Sequence, residues 1–160
     1  MRQPLKVEPG FLDLALEEAS RAQAHGDVPV GAIIVHNGQV IAHGMNRREL
    51  DQDPTAHAEI IAIRAASTAL KTWRLEGCAL YVTLEPCAMC LASAQAARVE
   101  LVVYGATDPK AGALSLGYRL HEDERTNHRF AVTLSEDPRC SQILKDFFSK
   151  RRSEKKGSAS

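Results

Sequence analysis

Two short clusters of metal-binding side chains, His57-Ala58-Glu59 and Pro86-Cys87-Ala88-Met89-Cys90, constrain this chain more than any other feature. One imidazole and two thiols are three of the four ligands of a tetrahedral zinc shell, and a catalytic zinc leaves its fourth position open. Any fold that uses them must bring positions 57, 87 and 90 together. Cys87 and Cys90 are i, i+3 on a helix that Pro86 is placed to start, so both sulfurs point one way, near exposed backbone N–H groups that favour thiolate. His57 and Glu59 are i, i+2, about 200° apart on a regular helix, and share a site only from a helix end. The spacing therefore predicts a helix beginning within a residue or two of His57 and a metal held between two helix N-termini. Glu59 is then better placed as proton shuttle than as fourth ligand: zinc lowers the pKa of a bound water, and a carboxylate beside it can take the proton and return it to a leaving amine. Cys78, Cys140 and the remaining histidines stand at no paired spacing. The two cysteines read as buried filler, and His25, His36 and His43 as surface or strand-end residues.

The rest of the chain supplies a scaffold of alternating periods. Phe11, Leu12, Ala15, Leu16, Ala19 and Ala22 recur at helical spacing between Pro9-Gly10 and Gly26. Asn37-Gly38, between the apolar runs 30–35 and 40–42, is the signature of a tight hairpin. A helix is expected over 57–70, a strand over 80–83, a helix opened by Pro86 to about Arg98, strands over 101–104 and 130–134, and a last helix carrying Ile143, Leu144, Phe147 and Phe148. Of the two phenylalanines, one is expected to be free for stacking. Strands separated by helices imply an α/β sheet with helices on both faces, parallel at crossovers and antiparallel at the hairpin. Residues 105–128 are polar, Gly-rich and without a clear period.

With 44% apolar residues in 160 positions, the chain can enclose one core and is no disordered polymer, and it lacks the long apolar run of a membrane span. The 20 cationic and 20 anionic side chains cancel overall but not locally, since residues 145–160 carry a net +4 against an acidic body. Four cysteines are too few for a disulfide scaffold, and residues 1–10 hold two prolines and no hydrophobic run, so a cytoplasmic, reducing location is expected. Residues 1–152 are expected to form the domain, and 153–160 a disordered basic tail.

The order His-x-Glu, then Pro-Cys-x-x-Cys, resembles the cytidine deaminase superfamily of zinc-dependent nucleobase deaminases, which carry this signature. Further stretches resemble its bacterial tRNA-specific adenosine deaminase branch. These are residues 27–32, Asn46-Arg47, residues 53–60 and 80–87, Tyr104-Gly105-Ala106, Asn127-His128-Arg129 and Asp146-Phe147-Phe148. The resemblance implies a cytidine deaminase-like three-layer sandwich with a five-stranded mixed sheet, one Zn2+ per subunit held by His57, Cys87 and Cys90, and a homodimer. It implies hydrolysis of adenosine to inosine at the wobble position of a tRNA anticodon stem-loop, with Glu59 as the catalytic proton shuttle. By the same resemblance Asn46 hydrogen-bonds the target nucleotide, Val30 packs on the base, and the Ala58 amide holds the purine edge. Asp108, Lys110, Asn127 and Phe148 would contact neighbouring nucleotides. Arg152, in the run Lys150, Arg151, Arg152, Lys155 and Lys156, is expected to contact RNA as well. One loop departs from the branch: Ala111-Gly112-Ala113-Leu114-Ser115-Leu116-Gly117-Tyr118 stands where a Gly-Ala-x-Gly-Ser-Leu type run is usual.

Two other functions share these residues. One is deamination of a free base or nucleoside of guanine or cytosine type, although free cytidine deaminases usually present cysteine where His57 stands. The other is a non-catalytic zinc-bearing RNA-binding subunit, which would be expected to have lost the carboxylate that Glu59 supplies.

Overall fold

The structure, a computed structural model, describes residues 3–158. Its elements are α1 (Phe11–Ala24), β1 (Gly31–His36), β2 (Gln39–Met45), α2 (Ala58–Leu70), β3 (Cys78–Val82), α3 (Ala88–Ala96), β4 (Leu101–Tyr104), β5 (Ala131–Leu134) and α4 (Pro138–Ser158). A single 3-10 turn, Leu120–Glu122, interrupts the long connection before β5. Asn37 and Gly38 turn the hairpin with φ of 52° and 74°, both in the left-handed region that a two-residue primed turn requires.

The strands form one five-stranded sheet in the order β2-β1-β3-β4-β5. β1 runs antiparallel to both neighbours, while β3, β4 and β5 are parallel. Because β1 opposes both β2 and β3, those two point the same way. The carboxyl ends of β2, β3, β4 and β5 and the amino end of β1 therefore share one edge. In open α/β sheets that edge is where ligand sites are built.

Side chains alternate between two cores. Ala32, Ile34, Leu80, Val82 and Val102 face α2 and α3, through Ala58, Ala62, Ala66 and Leu91. Ile33, Val35, Tyr81 and Val103 face the other way, against Phe11, Leu12 and Leu14 of α1, and α4 lies beside α1. This is the expected three-layer arrangement, and Cys78 and Cys140 are both buried within it. No helix among the described residues is long and apolar enough to cross a membrane.

Helix α2 starts at Ala58, with His57 as its N-cap, as the spacing of His57 and Glu59 predicts. Other boundaries differ from the sequence expectation; β3 begins at Cys78 and not at 80. Helix α3 starts at Ala88 and ends at Ala96; Pro86 lies outside it, because Cys87 is still extended and bridged to Gly112. The last helix runs on to Ser158, through most of the segment expected to be disordered. From 150 to 156 that segment holds Lys, Arg, Ser and Glu, with no helix breaker before Gly157. Ala159 and Ser160 lie outside the described residues.

Helix α2 sits on β2 at Gly44, where an added β-carbon would lie 2.2 Å from the Ala58 carbonyl oxygen and 2.7 Å from the Ala62 nitrogen. Replacing Gly44 by Ala is therefore expected to push out the first turn of α2. The expected loss is about 2 kcal/mol in urea unfolding, accompanied by weaker zinc retention because His57 begins that helix. A variant as stable as the parent would contradict this packing.

Candidate metal centre and active site

His57 caps α2 and Cys87 caps α3, each with extended backbone and neither spending its side chain on a capping hydrogen bond. Extended φ/ψ at these two positions turns both side chains off the helix ends instead of along the helix surface. Cys90 joins them from the first turn of α3. The His57 Nδ1 lies 3.6 Å from Cys87 Sγ and 3.5 Å from Cys90 Sγ, and the three donor atoms all fall within 4.8 Å of one another. Zinc–sulfur bonds of about 2.3 Å and a zinc–nitrogen bond of about 2.05 Å at tetrahedral angles require an N···S separation of about 3.6 Å. The three side chains thus already stand at the spacing of a zinc shell, with Glu59 outside the donor set.

The protonation of the site follows from this crowding. The Cys87 thiol is pulled down to about 4, first by the hydrogen bond from Cys90 and then by that from His57. Cys90 is pushed up, as the donor in that pair and as a buried group. His57 is raised, chiefly through its hydrogen bond to Cys87. A thiolate and a thiol that share one proton are what a bound cation converts to two thiolates. Glu59, 4% exposed, is raised to about 6 by burial, partly offset by its own backbone N–H and by His57. A carboxyl held close to neutrality suits transfer of protons in both directions.

His57, Glu59 and Cys87 line a cavity of about 180 Å³ at the carboxyl edge of the sheet, together with Val30, Asn46 and Asp108. Val30 is a half-buried wall between β1 and the core. Asn46 is buried; its Nδ2 donates to the Val28 carbonyl at 3.2 Å and its Oδ1 accepts the Arg48 N–H at 3.1 Å. Ala58 lines the cavity as the first residue of α2, where a backbone N–H has no intrahelical acceptor. The cavity continues into a groove of about 650 Å³ that shares Val28, Leu84, Asp108 and Ala111 with it. Lys110, Phe148 and Arg152 line the groove and not the cavity. Phe147 is buried and Phe148 is 40% exposed, so one of the two is free, as expected. Asn127 lies exposed beyond the far end of α3 from Cys87, beside His128, whose Nε2 meets the Val99 carbonyl at 2.7 Å, and it lines neither space.

Sequence reasoning passed over three charged residues here. Arg48 lines the cavity, exposed, while its neighbour Arg47 is held by Asp51 at 2.8 Å and 2.9 Å. Asp27 is buried and accepts the N–H groups of Glu49 at 2.7 Å and Leu50 at 3.1 Å, fixing the segment that carries Asn46. Glu85, next to Pro86, is buried as well. The signals for the two acids were a carboxylate set within an apolar stretch, Val28-Pro29-Val30 after one and Leu84 before the other, and their place in the resembling stretches 27–32 and 80–87.

Comparison with known proteins agrees with this geometry. Residues 6–106 match the family described as the cytidine and deoxycytidylate deaminase zinc-binding region. The chain is 46% identical over 149 residues to the tRNA-specific adenosine deaminase of Bacillus subtilis, covering 91% of each. It is 44% identical over 146 residues to that of Haemophilus influenzae, covering 89% of this chain and 83% of the relative. Among solved structures, a tRNA:A34 deaminase studied for A-to-I editing at the wobble position superposes with a TM-score of 0.80 at 43% identity, over 86% of this chain and 100% of that one. The guanine deaminase of Bacillus subtilis superposes with a TM-score of 0.62 at 34% identity, over 92% and 95%. With a zinc-shaped donor set at the start of two helices and relatives this similar over nearly its whole length, the chain belongs to the zinc-binding cytidine and deoxycytidylate deaminase family, on its tRNA-specific adenosine deaminase branch.

Proposed function

We propose that this chain deaminates adenosine to inosine hydrolytically at the wobble position of a tRNA anticodon. The observation that carries the RNA half of this reading is the continuity between the deaminase cavity and the groove lined by Lys110, Lys145, Phe148 and Arg152. A free base needs only the cavity. A base flipped out of a strand needs the cavity and a path for its neighbours, with cations for phosphates and an exposed ring for stacking.

His57, Cys87 and Cys90 would hold a zinc ion, which would lower the pKa of a bound water toward neutrality. Glu59 takes a proton from the attacking water as its oxygen bonds to C6 of the purine, and passes that proton to N1. It then carries the remaining hydroxyl proton to the exocyclic nitrogen. The C6–N bond breaks, ammonia leaves, and the 6-oxo base remains. Val30 packs against the base, and the Ala58 N–H donates to the purine edge. Asn46, held by Val28 and by the backbone of Arg48, presents its second amide hydrogen to the nucleotide. Asp108 stands where the cavity meets the groove. Phe148 offers a ring to a neighbouring base, and Lys110 and Arg152 meet the backbone phosphates. Asn127 takes no part in the site of a single chain. The presence of Glu59 weighs against a silent RNA-binding subunit.

The active unit is a homodimer in this reading. Helices α2 and α3 expose Ala65, Ala69, Ala88, Ala92 and Ala96 on their outer faces, which lets the helices of a second copy approach closely. A cytoplasmic location, where folded tRNA is met, accompanies it.

The direct test is inosine formation by the zinc-loaded protein from an anticodon stem-loop with wobble adenosine, run beside free adenosine, adenine, guanine and cytosine. Deamination of guanine with the RNA untouched would favour the guanine deaminase likeness instead. Glu59→Gln is expected to lower kcat by about 10²- to 10⁴-fold while retaining about one zinc per chain; loss of the metal would make Glu59 a ligand. Cys87→Ser is expected to lose zinc and activity together. Arg152→Ala is expected to weaken stem-loop binding and to reduce the slope of log K against log salt by about 0.7, as for one phosphate contact on a single strand. Ala92→Arg is expected to give a monomer in light scattering, and a dimer that survives it would move the interface elsewhere.

A further inference from the structure

Glu85 is only 3% exposed, and its carboxylate is met by hydrogen bonds from a single loop. Oε1 accepts the Asp108 N–H at 3.1 Å and the Ser115 hydroxyl at 2.6 Å, and Oε2 accepts the Ser115 N–H at 2.9 Å. The loop between these points crosses directly above the carboxylate. A β-carbon on Gly112 would stand 2.0 Å from Oε2 and 2.7 Å from the backbone carbonyl oxygen of Asp108, so this crossing admits only glycine. The loop is closed on itself by the Gly112 N–H to the Asp108 carbonyl at 2.8 Å, and its middle is tied to the residue ahead of the N-cap of α3 by the Ala113 N–H to the Pro86 carbonyl at 2.8 Å. Both ends of the 108–115 loop are thus gripped by one side chain, two residues from the metal ligand Cys87. Asp108, at one end, and Ala111, between the ends, belong to the wall shared by the cavity and the groove.

Burying a carboxylate without a cation is costly, and charge-assisted bonds to backbone N–H groups offset the cost only while the loop stays in this one position. We propose that Glu85, with Ser115, is a positioning residue that clamps the 108–115 loop and so sets the wall against which the RNA strand lies. It governs affinity for the RNA and leaves proton transfer to Glu59. This rests on the RNA reading above. It also gives Ser115 a purpose in a loop whose sequence departs from the branch: its hydroxyl supplies the shortest of the bonds to Glu85.

The test uses the full zinc-loaded protein with Glu85→Gln, Ser115→Ala and Ser115→Thr. Glutamine keeps the shape but turns an NH2 group toward the Ser115 N–H or the Asp108 N–H, releasing one end of the loop. Glu85→Gln is expected to raise KM for the stem-loop about tenfold with kcat within about twofold and zinc retained. It is also expected to speed tryptic cleavage after the exposed Lys110 by about tenfold. Ser115→Ala is expected to shift both in the same direction by about threefold, and Ser115→Thr, which keeps the hydroxyl, to restore them. Unchanged KM and cleavage in Glu85→Gln and Ser115→Ala overturn the proposal. So does a joint loss of zinc and kcat in Glu85→Gln with Ser115→Ala silent, the pattern of a merely structural residue. A parent protein that makes no inosine from the stem-loop overturns the RNA reading and not the clamp. Cleavage rates then decide the clamp alone: acceleration supports it, and no change overturns it.

Discussion

The juxtaposition of two helix N-termini at one edge of the sheet is the constraint on which every other feature of the site depends. Helix α2 follows β2 and helix α3 follows β3, and because β2 and β3 point the same way, both helices begin at the same edge. Their N-cap positions are the places in a helical protein where a side chain is directed off the end of the element. Filling one with His57 and the other with Cys87 brings together an imidazole and a thiol from distant parts of the chain without distorting either helix. The unspent N–H groups and the positive ends of both dipoles then favour anionic species nearby, the thiolates included. A metal bound across the junction ties α2 to α3, so its binding energy is also folding energy.

Three buried carboxylates surround this junction, and their hydrogen-bond partners separate their tasks. Both carboxylate oxygens of Asp27 and of Glu85 accept from loop donors, those of Asp27 from the segment after β2 and those of Glu85 from the segment after β4. Both hold geometry. Glu59 is as deeply buried but is met by little beyond its own backbone N–H, and its carboxyl is pushed up to about 6 by burial. Desolvation only partly offset by donors leaves a group ready to change its protonation state, whereas desolvation met by several loop donors fixes a loop. In the proposed reading, one residue type serves as proton carrier or clamp according to what surrounds it.

Much of this was legible in the sequence because it rests on local spacing. The i, i+2 relation of His57 and Glu59 makes sense only at a helix end, and α2 begins at that point. Asn37-Gly38 specifies its turn through the positive φ that both residues tolerate. Illegible features were long-range or collective. The bonds from Asp27 to residues 49 and 50, and from Glu85 to residues 108 and 115, span separations at which no periodicity operates. The 111–118 loop has no period because its shape comes from bonds to Glu85 and Pro86 together with irregular turns of its own backbone. Pro86 stands two residues ahead of the first helical position: a proline suits the first helical turn, but the extended Cys87 delays that turn until Ala88.

The basic end of the chain shows how helix periodicity divides charges that composition lumps together. Arg151 is not available to a strand in the groove: its guanidinium donates to the Gly26 carbonyl at 3.0 Å and lies 4.7 Å from the centroid of the Phe147 ring. Phe147 and Arg151, four apart, belong to the side of α4 that docks on the body. Lys145, Phe148 and Arg152, at i, i+3 and i+7, share a different side, and that side lines the groove. The docking contact therefore orients the helix, and the orientation selects which cations and which ring a nucleic acid can meet. A run of lysines and arginines that reads as one basic tail acts as two faces, one holding the helix to the protein and one facing the groove.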